Sequence, residues 1–419
     1  MTSTSIRLLA LVVLVTLSTS VTKSEPIKLT YWRHNSQAEV TAIKELISRF
    51  EESNKDTKII LRTFPYSVYT TKLVATLSTG EGPDIINIHN SWAYSYIKAG
   101  LLVPVPESVI SKRELKTQFF PMLSSFSQHG IYYGLPLGAT NLALFYNRRL
   151  FKEAGLSPDH PPKTWHEFKS MAKKLTKRDR ANRIIQSGAA IGLAAGQGWN
   201  YFIEGVLRQA GVPVISDDLQ KIGWNTPEGV KAFDWFVGFV TKDKVYSHLL
   251  PAEYDAFRLE LAAMMVNGSF QIGQMKTVAP NLDYGIAPLP TGPNGKRATY
   301  GSLWGNCVTR VSAPKRQAAA WKFIAFLSKY ENQKYWSHNT GELPMRRQVL
   351  HDIEFKQSHE RYIPFIEQLP VSYASVKKDE AAYKRAMVEA VEQMVYNDMD
   401  AATAVKRAAK SINEMLSSK

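Results

Sequence analysis

The chain is predicted to fold as an α/β protein with mainly parallel sheets, divided into two lobes. Three observations carry this. From Ile27 onward, strand-like and helix-like segments alternate, the order that builds parallel, doubly wound sheets. At 419 residues the chain exceeds what one hydrophobic core of ordinary size holds, so two are expected. Joints rich in proline, glycine and small residues interrupt the pattern, as where a chain passes from one unit to another.

The segment IKLTYW alternates apolar and polar residues, as a half-buried strand requires. In AEVTAIKELISRFEE, the residues Val40, Ile43, Leu46, Ile47 and Phe50 share one helical face. TKIILRTF supplies a second strand, YTTKLVATLS a second helix and DIINI a third strand. Next, GIYYGLPLGATNLALFYNRRLFKEAGL predicts a strand over 132–136, a small-residue joint at Gly138 and Ala139, a strand over 142–146, then a helix. A new unit opens at PPKTWHEF, with Thr164 as helix cap and Glu167 three residues on. LAAMMVNGSFQIGQM and LDYGIAPLPTGPNGKRATYGSLWGNCVTR read as strands broken by Pro288, Pro290 and Pro293. At the C-terminus Val405, Ala408, Ile412 and Met415 recur at helical spacing.

The N-terminus places Arg7 before an apolar run over 8–17 and then Ser18, Thr19 and Ser20. This is the order of a secretory signal, with cleavage expected near residues 20–24, and the run is too short to span a bilayer with margin. No other stretch approaches about 18 uninterrupted apolar residues, so a soluble, periplasmic protein is expected. The single cysteine, Cys307, excludes an intrachain disulfide and a cysteine-pair zinc site. Its position deep in the chain also excludes a lipid-bearing cysteine at the mature N-terminus. The net charge of +15 admits acidic ligands, anionic membranes or a solvated basic surface. The densest run, KKLTKRDRANR, reads as the exposed end of a helix, and no nucleic-acid module accompanies it, so no nucleic-acid partner is expected.

Tests for catalytic chemistry fail one by one. In STGEGPDIINIHNSW, Gly80 and Gly82 follow a helix and open a strand, the reverse of a nucleotide cradle, and Ile85 stands where a third glycine belongs. GPNGKRA is too short for a phosphate loop. His166-Glu167 lacks the second histidine of a zinc-protease helix, and GSLWG lacks serine at the centre of a nucleophile elbow. No catalytic residue, metal or cofactor is expected. A secreted glycosidase using a pair of acids stands as the enzymatic alternative.

An ordered set of motifs carries a resemblance. GEGPDIINIHNSWAYSYIKAGLLVPV, YGLPLGATNLALFYNRRLFKEAGL, PPKTWHEFKSMAKKLT, AAMMVNGSFQIG, YGIAPLPTGPNG, SLWGNCVTR, AAAWKFIAFLSKYENQKYW and TGELPMRRQVL together resemble the bacterial family 1 extracellular solute-binding proteins across the mature chain. The resemblance implies a periplasmic-binding-protein-like fold, with two α/β lobes joined by a three-crossing hinge and a ligand in the interlobe cleft. Lobes are expected at 25–138 with 295–341 and at 139–294 with 342–419, crossing near 138–141, 290–297 and 341–346. It implies a monomer that carries a carbohydrate to the permease subunits of an ABC importer and does no chemistry. The binder of an anionic ligand, such as a uronate oligosaccharide or glycerol phosphate, is the alternative that the basic charge raises.

Sugar rings offer an apolar face to aromatic side chains and hydroxyls to amides, carboxylates and arginines. On the matched motifs, Trp32 and His34 take the cleft-facing exit of the first strand. His89, Asn90, Ser91 and Trp92 take the ligand-contacting turn after the third, with serine and tryptophan where many relatives carry an acid or arginine. Asn141 sits at the first crossing as hinge residue or ligand partner. Trp199, Asn200 and Tyr201 match a helix start on the second lobe's wall, and Phe270 the position of a stacking aromatic. Gly301, Ser302 and Trp304 fall in the matched loop of the first lobe, with Glu342 and Tyr66 as weaker candidates.

Overall fold

The computed structural model describes residues 25–34, 36–192, 199–216, 218–247 and 249–417. The predicted signal segment lies outside the described residues. Six strands form the spine of one sheet, in the order Tyr284–Ala287, Leu135–Asn147, Thr299–Val308, Ile85–His89, Ile27–His34 and Thr57–Phe64. Ile27–His34 pairs in parallel with both Thr57–Phe64 and Ile85–His89, because helices Gln37–Ser53 and Tyr66–Ser78 carry the chain back between strands. On the first helix Ile43, Leu46, Ile47 and Phe50 are buried as their spacing predicts, and Val40 is half-buried.

The remaining pairings make the sheet mixed. Thr299–Val308 runs antiparallel to Ile85–His89 and to Leu135–Asn147. Met264–Gly268 and Tyr284–Ala287 run antiparallel to the far half of Leu135–Asn147. The two strands predicted on either side of Gly138 and Ala139 are largely one, Leu135–Asn147, with only a two-residue strand at Ile131–Tyr132 before it. Gly138 is not a break. It leaves room for neighbours, since a Cβ there would lie 2.8 Å from Glu342 Cβ and 2.9 Å from Trp336 Cδ1. After Gly268 the chain turns into the helix Gln271–Val278, where a further strand was expected; Gln271, Ile272 and Met275 are its buried residues, at helical spacing.

Two cores result. Leu29, Ile43, Phe50, Ile86, Phe126, Phe323 and Trp336 belong to the first. Phe168, Phe202, Phe236, Met387 and Val405 belong to the second. The Leu135–Asn147 strand serves both, giving Leu137 and Ala139 to one and Leu144 and Tyr146 to the other. Leu343, Met345, Phe365 and Leu369 pack in the first core. The helix predicted after PPK is capped by Thr164, whose Oγ accepts from Glu167 N at 3.1 Å, while Glu167 Oε2 accepts from Lys163 N at 2.6 Å.

Candidate functional site

The STGEGPD segment ends one helix and starts a strand. Gly80 (φ 76°) and Gly82 (φ 132°) make the left-handed turn that follows Tyr66–Ser78. Asp84 faces inward: it accepts from Thr30 N at 2.7 Å and Ser312 Oγ at 2.6 Å and pairs with Arg316. The acid of this motif therefore ties strand to helix Pro314–Leu327.

The strand it opens ends at His89, which caps helix Asn90–Lys98. His89 Nδ1 accepts from Ser91 N at 3.3 Å. A ring nitrogen that accepts is unprotonated, so the neutral ring carries its proton on Nε2 and has a donor to offer. Burial, assisted by Lys377 and opposed by Glu380, holds the His89 pKa down to about 4. Asn90 is buried, its Oδ1 accepting from Leu303 N at 3.1 Å, which locks the helix start to Thr299–Val308.

At the carboxyl ends of these strands, where open α/β sheets bind ligands, aromatic rings gather around Trp304. Its ring centroid lies 4.0 Å from His34, 5.3 Å from Trp92, 5.4 Å from His89 and 6.2 Å from Tyr66, all edge-on. Edge-to-face packing is the favoured geometry of such groups. His34 is buried and neutral, its pKa lowered to about 4 by burial, then by Arg33 and His89. Trp32, two residues earlier, packs into the first core against Phe64, with centroids 4.9 Å apart.

Two cavities share His89 and Tyr201 and so form one cleft. The outer, about 640 Å³, is lined by Tyr66, Ser91 and Trp92 on one side and by Tyr201, Glu380 and Lys384 on the other. The inner, about 310 Å³, is lined by Thr140, Asn141, Glu253, Tyr254, Asn267, Phe270, Gln271, Tyr300 and Ser302. Of the residues singled out by sequence, His89, Ser91, Trp92, Asn141, Tyr201, Phe270, Ser302 and Tyr66 line the cleft. His34 and Trp304 stand against these lining rings.

Others sit elsewhere. Gly301, Ser302 and Trp304 lie in a strand rather than the expected loop, because Thr299–Val308 is paired on both edges. Gly301 makes room for Met122, whose Sδ would be 2.1 Å from a Cβ. Trp199 and Asn200 begin helix Trp199–Gln209, and their side chains lie outside the described residues. Glu342 lies beside Gly138, its Oε2 accepting from Trp336 Nε1 at 2.7 Å.

Sequence reading passed over Glu253, Tyr254, Gln271 and Tyr300. Tyr300 stacks on Tyr201 with centroids 4.5 Å apart, and a tyrosine beside the selected Gly301 and Ser302 was the available signal. It also passed over an ion cluster behind the cleft wall. Lys377 Nζ lies 2.6 Å from Glu204 Oε1 and 3.0 Å from Glu380 Oε2, and Ser375 Oγ donates to Glu204 Oε2 at 2.6 Å. Burial disfavours the Lys377 charge, but the two carboxylates outweigh it and raise its pKa.

Burial, reinforced by the Glu39 charge, pushes the Glu342 carboxyl up to about 7. A group raised on folding stabilises fully below its unfolded pKa, and that stabilisation is lost as pH rises through the folded value. Glu342→Gln keeps an acceptor for Trp336 Nε1 and has no proton to lose. Its stability relative to wild type is therefore expected to increase by about 3 kcal/mol between pH 4.5 and pH 8, read from urea unfolding at both pH values. A constant difference would refute the assignment.

The sequence profile of the bacterial extracellular solute-binding protein family matches residues 34–334. The maltotriose-binding protein of Pyrococcus abyssi is 27% identical over 340 residues, covering 78% of this chain and 69% of that protein. The sn-glycerol-3-phosphate-binding periplasmic protein UgpB of Escherichia coli K12 is 27% identical over 338 residues, covering 76% of this chain and 74% of that one. The crystal structure of the cyclic alpha-maltosyl-1,6-maltose binding protein from Arthrobacter globiformis has the same fold: TM-score 0.84, 23% identity, 94% of this chain and 100% of that chain covered. A profile matched over most of the sequence, on a fold of this kind, shows that the chain belongs to the bacterial extracellular solute-binding protein family.

Proposed function

We propose that the protein binds a carbohydrate in the cleft, closes over it by hinge motion, and passes it as a monomer to the permease subunits of an ABC importer, with no chemistry of its own. The observation that carries this is the pairing of Tyr66 and Trp92 in the outer cavity with polar groups of Asn141, Glu253 and Gln271 in the inner one. Rings receive a sugar's apolar faces and polar groups its hydroxyls. The maltotriose-binding relative supports the same ligand class. For the lobes we propose 25–138 with 295–341 and 139–294 with 342–419, with crossings near 138–141, 290–297 and 341–346; the packing of Phe365 on Phe145, centroids 5.9 Å apart, supports the last of these. Export through the N-terminal signal belongs to this reading. No helix among the described residues is long and apolar enough to cross a membrane.

The test is thermal unfolding and tryptophan fluorescence of the purified protein with a panel of mono- and oligosaccharides. A sugar present at about 100 times its Kd stabilises by about 2.7 kcal/mol, a clear rise in Tm, and chromatography is expected to recover it intact. Absence of any shift across the panel overturns the reading, and progressive cleavage of the sugar replaces it with the glycosidase.

A further inference from the structure

We propose that the inner cavity is a filter for hydrogen-bond donors: it admits a neutral or amino-substituted sugar unit and rejects one bearing carboxylate or phosphate, with Glu253 as the deciding residue. This rests on the carbohydrate reading above and narrows its substrate class. Among the described residues, the inner cavity is lined by one acid, Glu253, and by no lysine or arginine. The +15 charge of the chain does not reach it.

Four of its buried polar atoms have no hydrogen-bond partner among the described residues, and the His89 ring, which offers an Nε2 donor, lines it too. Glu253 Oε2 is buried and has no hydrogen-bond partner among the described residues. Asn141 is 1% exposed, and its Nδ2 donates to Phe365 O at 2.9 Å and Ser372 Oγ at 2.8 Å. Those bonds fix the amide and leave Oδ1 as a buried acceptor without a partner among the described residues. Among the described residues, the Gln271 amide, 6% exposed, is held by no comparable pair, and its Oε1 and the Tyr254 hydroxyl are also buried without a partner.

A buried acceptor is costly until a donor meets it. Each sugar hydroxyl brings one donor; an ammonium brings three, and its charge complements a carboxylate. An ionised carboxylate or phosphate brings acceptors alone and sets like charge against Glu253, whose own carboxyl is pushed up by burial and by the Asp255 charge and is pushed further by a second anion. Arg258, on the helix of Glu253, is held by Asp255 at 2.7 Å, and Lys377 by Glu204 and Glu380. The outer cavity differs, for Lys378 and Lys384 line it beside Asp379 and Glu380. The filter therefore acts on the unit seated inside, not on the whole ligand.

Isothermal titration calorimetry of the mature protein with a matched series tests this: glucose, glucosamine, glucuronate and glucose 6-phosphate. Acidic members are expected to bind at least about 100-fold more weakly than the neutral member of their series, and amino members at least as tightly as the neutral one. Glu253→Gln, its fold checked by urea unfolding, is expected to narrow the acidic penalty, taken as the ratio of acidic to neutral Kd within the variant, to under about tenfold whatever its neutral affinity. Acidic members binding wild type as well as neutral ones, or a penalty unchanged in Glu253→Gln, overturns the filter while leaving the carbohydrate reading intact. Failure of every sugar, neutral, amino and acidic, overturns both.

Discussion

Lys377→Met is expected to lower the stability of the protein by about 3–5 kcal/mol, the loss typical when one partner of a buried ion pair is removed. Glu204 is fully buried and Lys377 is 2% exposed. With the ammonium gone, Glu204 keeps only the Ser375 hydroxyl and faces Glu380. It then folds only by taking up a proton, so its pKa rises further and the deficit shrinks as pH falls. Pairing Lys377→Met with Glu204→Gln removes both buried charges and is expected to recover most of the loss. Urea unfolding of the single and double variants at pH 8 and pH 5 reads all of this. A single variant within about 1 kcal/mol of wild type would show that solvent screens the cluster. Because Tyr201 lies one helical turn before Glu204, and Glu380 itself lines the cleft, the same variant loosens a ligand-facing wall.

Trp92→Ala is expected to weaken sugar binding by about 2–3 kcal/mol, on the order of 100-fold, as for an aromatic anchor in a desolvated pocket. Trp92 lines the outer cavity while touching Trp304 edge-on and Tyr66 at 5.9 Å. Its removal deletes a stacking face and frees its neighbours to tilt into the gap. Trp92→Phe retains a smaller ring and is expected to lose about tenfold. Calorimetric Kd values for both, set beside unfolding curves, separate binding from folding. Wild-type affinity in Trp92→Ala would remove the aromatic wall from the ligand's seat.

What could be read in advance follows from the range of each interaction. The helix of Ile43, Leu46 and Phe50, and the cap formed by Thr164 and Glu167, depend on residues a few positions apart, so the sequence displays them directly. Ser91 and Trp92 were placed by the family resemblance rather than by periodicity, and the expected turn there is in fact the first turn of helix Asn90–Lys98. Trp32 and His34 point to the same face of one strand, and alternation cannot say that Phe64 covers the first while the second meets Trp304. The acceptor-rich side of the cleft was illegible: Glu253 and Tyr254 carry no local motif, and Glu204 meets Ser375 across 171 positions. The small-residue joint at Gly138 and Ala139 looked like an interruption because sequence shows a missing side chain but not the neighbour that fills its place.

That uninterrupted strand has a mechanical consequence. Leu135–Asn147 is threaded through both cores, and an extended strand is already near its full length per residue. In the closure proposed above it is therefore a torsion bar, on which the two bodies rotate without drawing apart. Melting either body strips the strand of hydrogen-bond partners and of packing that the other relies on, so the two halves of this chain are thermodynamically yoked.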